Sequence, residues 1–197
     1  MLPLILTNHT AARILNICYF IWLVPEIIHT YLHRVEASSR ADDHQSSLVI
    51  KVCMGISILL ANWLIRLQTW ATITRHPFLI FGIGVTMILG GVVFRWYSIH
   101  VLGKYFSVQL GVQAGQTVIK DGPYRWIRHP SYTGSLITML GFGFAFTNWL
   151  CLFSVPLIVL VGYSYRASVE EQMLVNALGD PYREYMKNTK RFIPFIH

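Results

Sequence analysis

Residues 77–99 read PFLIFGIGVTMILGGVVFRWYSI, and the fold class turns on them. A helix that crosses the hydrocarbon core of a bilayer needs ~20 mostly apolar residues. This run has 23, with Arg95 as its sole charged residue, near the end. Pro77 is well placed for a helix start, where a missing N–H is no loss. The same apolar character recurs at residues 11–32 (interrupted by Pro25-Glu26), 48–67, 131–147 and 149–165. The expected fold is an all-α integral membrane protein with about five transmembrane helices. Only Asn148 separates the last two, which predicts a tight antiparallel helical hairpin.

Composition agrees. Of 197 residues, 54% are hydrophobic and 13% charged, where a soluble domain carries about 25% charged. One membrane-embedded domain over residues 1–197 is expected. The formal net charge of +7 does not point to nucleic acid, because the basic residues follow a membrane pattern and form no soluble basic module. Cys18, Cys53 and Cys151 lie in apolar runs without CxxC spacing, and the eight histidines form no HExxH. They predict small packed hydrophobes and no metal site. No basic segment precedes a short apolar run with a small-residue cleavage site, so no cleavable signal peptide is expected.

Lys and Arg set the orientation. With five spans and the amino terminus outside, the inner segments hold Arg34, Arg40, Lys51, Lys104, Lys120, Arg125, Arg128, Arg166, Arg183, Lys187, Lys190 and Arg191. The outer segments hold only Arg13, Arg66 and Arg75. Twelve against three predicts a cytoplasmic carboxyl terminus, with the loop 103–130 and the tail on the same side. Residues 33–47 read as a polar linker. Within 103–130, residues 107–112 alternate polar and apolar, 113–116 can turn and 117–119 follow, which predicts a small cytoplasmic β-hairpin or an extended loop.

Polar chemistry concentrates in two places. The first is Gly122-Pro123-Tyr124-Arg125-Trp126-Ile127-Arg128-His129-Pro130-Ser131-Tyr132-Thr133-Gly134. A plain reading takes Gly-Pro as a turn, the arginines as interfacial anchors, Trp126 and Tyr132 as an aromatic belt and Pro130 as a helix start. It leaves unexplained why Arg128, His129 and Tyr132 converge on one helix start, where free N–H groups and a positive dipole end suit a carboxylate. The second place follows the last span. Tyr163, Arg166 and Glu170 share a helical face, with Glu171 adjacent. The plain reading there is a snorkelling Arg with a solvated Glu. A charge at the membrane boundary that faces the bundle interior is more often functional.

The run Arg128-His129-Pro130-Ser131-Tyr132-Thr133-Gly134 resembles the RHPxYxG motif of the isoprenylcysteine carboxyl methyltransferases, a family related to the phospholipid methyltransferases. Arg166-x-x-x-Glu170-Glu171 is similar to that family's second motif. The tail Gly179-Asp180-Pro181-Tyr182-Arg183-Glu184-Tyr185-Met186, followed by Arg191-Phe192-Ile193-Pro194, is similar to its carboxyl end. The resemblance covers roughly residues 103–197. It implies a membrane-embedded S-adenosyl-L-methionine site contacted by Gln116, Thr117, Val118, Ile119, Tyr124, His129, Pro130, Ser131, Tyr132 and Glu170, with Gln109 as a further candidate. Arg166 is implied to hold the acceptor and serve catalysis. Many relatives have His where this chain has Gln116; backbone groups are expected to make most contacts there.

The implied reaction methylates the carboxylate of a lipidic acceptor, such as a carboxyl-terminal S-isoprenylcysteine. A carboxylate is already ionised at neutral pH, so it needs alignment and desolvation but no general base. Arg166 suits it as a bidentate partner that takes no proton. A phospholipid or other lipid N-methyltransferase is the alternative, but a fixed Arg would repel an ammonium acceptor. A sterol-type NADPH reductase is an alternative of another class. A scaffold or transporter has no inverted repeat to support it. Its one resource is Glu26 beside Pro25, whose plainer reading is a kinked helix with a partnered carboxylate.

Overall fold

Every apolar stretch forms a helix in the computed structural model, which describes residues 2–32, 44–67, 69–105 and 115–193. In chain order these are α1 (Leu4–Thr7), α2 (His9–Leu32), α3 (His44–Leu67), α4 (Pro77–Leu102), α5 (Pro130–Ala145), α6 (Trp149–Leu178) and α7 (Asp180–Asn188). Short 3₁₀ turns cover Thr69–Ala71, Gly103–Tyr105 and Gly122–Arg125. Among the described residues, α2, α3, α4 and α6 are long and apolar enough to cross a membrane. The stretch expected at 131–147 is the 16-residue α5. At 1.5 Å per residue it measures about 24 Å, short of a core about 30 Å thick. Large apolar side chains such as Phe20, Leu59, Val93 and Phe153 point outward, as lipid allows and water disfavours.

The largest boundary shifts are in α3 and α6. Helix α3 begins at His44, ahead of the expected 48, and α6 runs to Leu178, past the expected 165. Apolar runs mark where a helix can meet lipid, whereas helices continue through polar residues of good propensity. The segment after Arg166 contains Ala, Glu, Gln, Met and Leu, and it stops at Gly179, whose φ of 63° a side chain would disfavour. Residues 107–114 of the expected β-hairpin, Gln109 included, and the end of the tail at Pro194 lie outside the described residues. Pairing among the described residues is limited to isolated bridges, Thr72 with Asn148 and Ile127 with Lys190.

Helices α4 and α5 pack antiparallel at backbone distance. A Cβ on Gly91 would stand 2.7 Å from Gly134 O, and one on Gly141 would stand 2.8 Å from Gly84 O. Glycines seven residues apart on each helix thus form a seam, the small-residue packing that replaces hydrophobic burial inside lipid. The α5–α6 hairpin turns at Thr147, whose φ is 48°. The fully buried Thr147 accepts from Leu4 N–H on Oγ1 at 3.0 Å and from Ile73 N–H on its carbonyl at 2.8 Å. Asn148 Oδ1 then caps α6 by accepting from the N–H groups of Leu150 and Cys151. Cys18 and Cys151 are buried, as expected of small hydrophobes.

Candidate functional site

A cavity of about 530 Å³ opens at the end of the bundle where α2, α4 and α6 finish their apolar runs. Its walls come from α2 (Trp22, Glu26), the start of α3 (Ser47, Lys51, Met54), α4 (Arg95), the segment 116–119, Tyr124, the first turn of α5 and the α6 face carrying Tyr163, Arg166 and Glu170. Tyr182 and Tyr185 of α7 close one side. Glu26, Arg95 and Arg166 each stand seventeen or eighteen residues after the start of their helices. They therefore share a level about 25 Å along the bundle.

The centre of the site is one connected network. Tyr132 OH donates to Glu170 Oε2 at 2.6 Å and accepts from Arg166 Nε at 3.1 Å. Arg166 also reaches Ser46 Oγ at 3.5 Å. The Tyr132 ring stacks between His129, at 5.2 Å between centroids, and Tyr163, at 4.7 Å. His129 bridges both carboxylates, with Nδ1 3.4 Å from Glu170 Oε2 and Nε2 3.2 Å from Glu171 Oε1. Burial pushes the His129 pKa down, but the two carboxylates outweigh it and hold it above the ordinary histidine value.

Adjacent carboxylates on α6 have different duties because they lie 100° apart on the helix. Glu170 faces the cavity. Glu171 is buried beneath it and accepts from Arg128 Nε at 2.8 Å and from Arg191 Nε and Nη2. Arg191 belongs to the tail, which returns beside the start of α5. Arg128 N–H donates to Lys190 O at 2.8 Å, His129 N–H to Arg191 O at 3.1 Å, and Thr133 Oγ1 to Phe192 O at 2.7 Å. Arg128 Nη1 further donates to the carbonyls of Met186 and Thr189. Tyr185 OH donates to Tyr124 O at 2.7 Å. The tail and α7 thereby pin the RHP segment from below.

Gln116, Thr117, Val118, Ile119, Tyr124, His129, Ser131, Tyr132, Arg166 and Glu170, all named from sequence, line this single cavity. Pro130 does not; it is buried at the first helical position of α5. Gln109 lies outside the described residues. The α5 start offers fewer backbone donors than its dipole suggests. Pro130 has no N–H, His129 N–H is taken by Arg191 O, and the N–H groups of Tyr132 and Thr133 return to His129 O. The amino-terminal half, read from sequence as hydrophobicity alone, supplies Trp22, Glu26, Ser47, Lys51 and Met54 to the walls. The signal available was charge inside spans: Glu26 pairs with Arg95, Nη2 to Oε2 at 2.9 Å and Nε to Oε1, and is the partnered carboxylate expected beside Pro25.

A constellation of this kind, carried on α4, α5 and α6, can be compared with known proteins. Residues 83–176 match the isoprenylcysteine carboxyl methyltransferase (ICMT) family. The resemblance drawn from the two motifs is thereby shown, and the match begins before them, inside α4. A protein-S-isoprenylcysteine O-methyltransferase of Xenopus laevis is 34% identical over 116 residues, which are 58% of this chain and 40% of that protein. One of Schizosaccharomyces pombe is 33% identical over 109 residues, 48% of this chain and 46% of that protein. The chain thus spans less than half the length of either relative. The solved structure of the eukaryotic intramembrane Ras methyltransferase ICMT covers 82% of this chain and 55% of its own, with a TM-score of 0.52 and 24% identity, a likeness of fold.

Proposed function

We propose that this chain is a membrane methyltransferase that uses S-adenosyl-L-methionine to methylate the carboxylate of a lipidic acceptor, such as a carboxyl-terminal S-isoprenylcysteine. One observation carries the reading: Arg166 and Glu170 meet Tyr132 and His129 in a cavity whose other walls are largely apolar and tyrosine-lined. The cavity lies within the ~300–1,000 Å³ typical of small-molecule sites. The groups on its floor fit a donor with an anionic amino-acid end and a cationic centre, because cations and carboxylates alternate there. Residues 116–119, Tyr124, His129, Ser131, Tyr132 and Glu170 would hold the donor, which supplies a methyl group on a positively charged sulfur.

The chain's own residues then have a positioning task. The acceptor carboxylate is ionised without help. Arg166, which donates to Tyr132 OH and reaches Ser46 Oγ, carries the planar guanidinium that would turn to both acceptor oxygens as the acceptor enters. Apolar walls strip the carboxylate of water, which strengthens every charge interaction in the site. An ammonium acceptor is disfavoured, because it would enter beside Arg166 and need a base to lose its proton. We further infer that α5 completes a fifth crossing and that the carboxyl terminus faces the cytoplasm, where the donor enters and twelve basic residues gather.

The test is titration of S-adenosyl-L-methionine into the detergent-purified protein, followed by transfer of labelled methyl groups to a set of lipidic acids and amines. Binding, abolished in His129→Ala and Glu170→Ala, and transfer to an S-prenylated cysteine acid are expected. Absence of binding by the wild type would end the proposal.

A further inference from the structure

Three arginines and a lysine line the cavity: Arg95, Arg128, Arg166 and Lys51. Each guanidinium is engaged by the protein itself. Arg95 is paired with Glu26, Arg128 with Glu171, and Arg166 donates to Tyr132 OH and reaches Ser46 Oγ. Lys51 makes no hydrogen bond or ion pair with the described residues. It stands five residues into the apolar span Ser46–Leu67, about 8 Å deeper than Ser46 at 1.5 Å per residue. A charge inside a span is expensive and usually marks a ligand or a path.

A lysine near a helix end can simply snorkel along lipid, but Lys51 stands on a different face. Leu48, Val52, Ile56 and Leu59 carry the lipid-facing side of α3. Ser47, Lys51 and Met54, spaced by four and three, share the side that lines the cavity. Side chains tilt toward the amino end of their helix, so the Lys51 stem leans toward the level where Ser46 meets Arg166. Helix α3 packs on α6, whereas α2 packs on α1 and α4. Leu23 and Ile27 of α2 line the cavity and are exposed, as Lys51 is. The cavity is therefore open between α2 and α3, with Lys51 on its rim.

We propose that Lys51 is an acceptor-binding residue whose ammonium attracts the acceptor carboxylate, so that the cavity distinguishes the acid from its own methyl ester. This rests on the carboxyl methyltransferase reading above. An ammonium on a flexible stem is a point charge that meets an anion in many orientations, so it supplies attraction and leaves alignment to the planar Arg166. The carboxylate gives up its negative charge as it takes the methyl group. A nearby cation thus binds the acid better than the transition state, and better still than the neutral ester. Its removal raises KM and does not lower kcat. The ester, which Lys51 does not hold, leaves through the same opening.

The experiment measures initial rates with N-acetyl-S-farnesyl-cysteine as the acid, at saturating donor and in a neutral detergent, for the wild type, Lys51→Met, Lys51→Arg and Lys51→Glu. The methyl ester of the same compound, added as a competitor, gives its inhibition constant for each. Lys51→Met keeps an apolar stem and drops the charge. Its KM for the acid is expected to rise about tenfold, the worth of one charge-assisted contact, with kcat not lowered and the ester constant unchanged. Lys51→Arg should keep the wild-type KM, and Lys51→Glu should raise it further than Lys51→Met. An unchanged KM in Lys51→Met assigns the residue to the lipid surface and overturns the inference. So does an ester constant that rises with KM, the mark of lost packing, or a kcat that falls at constant KM. Donor titration confirms that each variant is folded; should Lys51→Met fail to bind, Lys51→Arg and Lys51→Glu, alike in bulk change and opposite in charge, decide. A wild type that binds the donor but transfers nothing to the acid overturns the underlying reading, and the role of Lys51 with it.

Discussion

At Arg166, charge and shape can be separated. Lys keeps the charge but lacks the planar fork that accepts two carboxylate oxygens at once. Arg166→Lys is expected to bind the donor as the wild type does and to slow single-turnover methyl transfer about 100-fold. A snorkelling anchor would tolerate Lys, so near-equal rates would remove Arg166 from the acceptor site. His129 gives a pH signature. Its imidazole is buried between Glu170 and Glu171, with Tyr132 and Phe192 against its faces. With a folded pKa above the usual ~6.5, protonated His129 stabilises the fold fully below that value. The contribution is lost as pH rises through the folded pKa. Melting in detergent from about pH 6 to about pH 9 should show the gap between wild type and His129→Gln widest at the acid end. A gap that widens toward alkaline pH would reverse the assignment of His129 as a cation.

Two adjacent residues on α4 test the packing of elements. A Cβ at Gly90 meets nothing within 4 Å, whereas one at Gly91 would stand 2.4 Å from Thr138 Oγ1 and 2.7 Å from Gly134 O. Gly90→Ala is expected to be neutral or to stabilise α4 by up to about 1 kcal/mol through helix propensity. Gly91→Ala must push α5 away, because the obstacles are largely backbone. Since α5 carries Ser131 and Tyr132 into the site, that displacement should lower both the detergent melting temperature and donor affinity. Equal behaviour of the two variants would show that the seam is not close-packed. Asn148, the cap of α6, sits at the far end of the same hairpin, and Asn148→Ala should cost about 1 kcal/mol without changing donor affinity.

For the whole molecule, the governing quantity is the placement of charge across the bilayer. Asn188 ends α7, on the segment that returns to the α5 start. With a cytoplasmic tail, Asn188→Cys in sealed cells should be protected from a membrane-impermeant maleimide added outside and should react after permeabilisation. External labelling would invert the topology and take the cytoplasmic donor entry with it. The return of the tail has its own consequence. Arg191 supplies two of the donors to buried Glu171. Arg191→Ala leaves that carboxylate with Arg128 and His129, and should loosen the RHP segment and weaken donor binding more than Lys187→Ala, whose partner Glu184 is solvent-exposed.

Sequence alone determined the helical membrane character, the α5–α6 hairpin and the residues of the two polar clusters. Lipid imposes apolar runs of a set length, and a helix face repeats every three to four residues. Both are local rules that residues 77–99 and the Tyr163–Arg166–Glu170 spacing obey in plain view. Helix length was less legible, because polar residues continue a helix as well as apolar ones: α6 outruns its hydrophobic stretch to Leu178. The different duties of Glu170 and Glu171, the return of Arg191 to the α5 start, and the pairing of Glu26 with Arg95 came only from the tertiary structure. Each joins residues 20 to 69 positions apart in the chain. A charge in an apolar run announces that it needs a partner; which partner it finds is set by helix packing at the glycine seam and by the level at which each span presents its side chain.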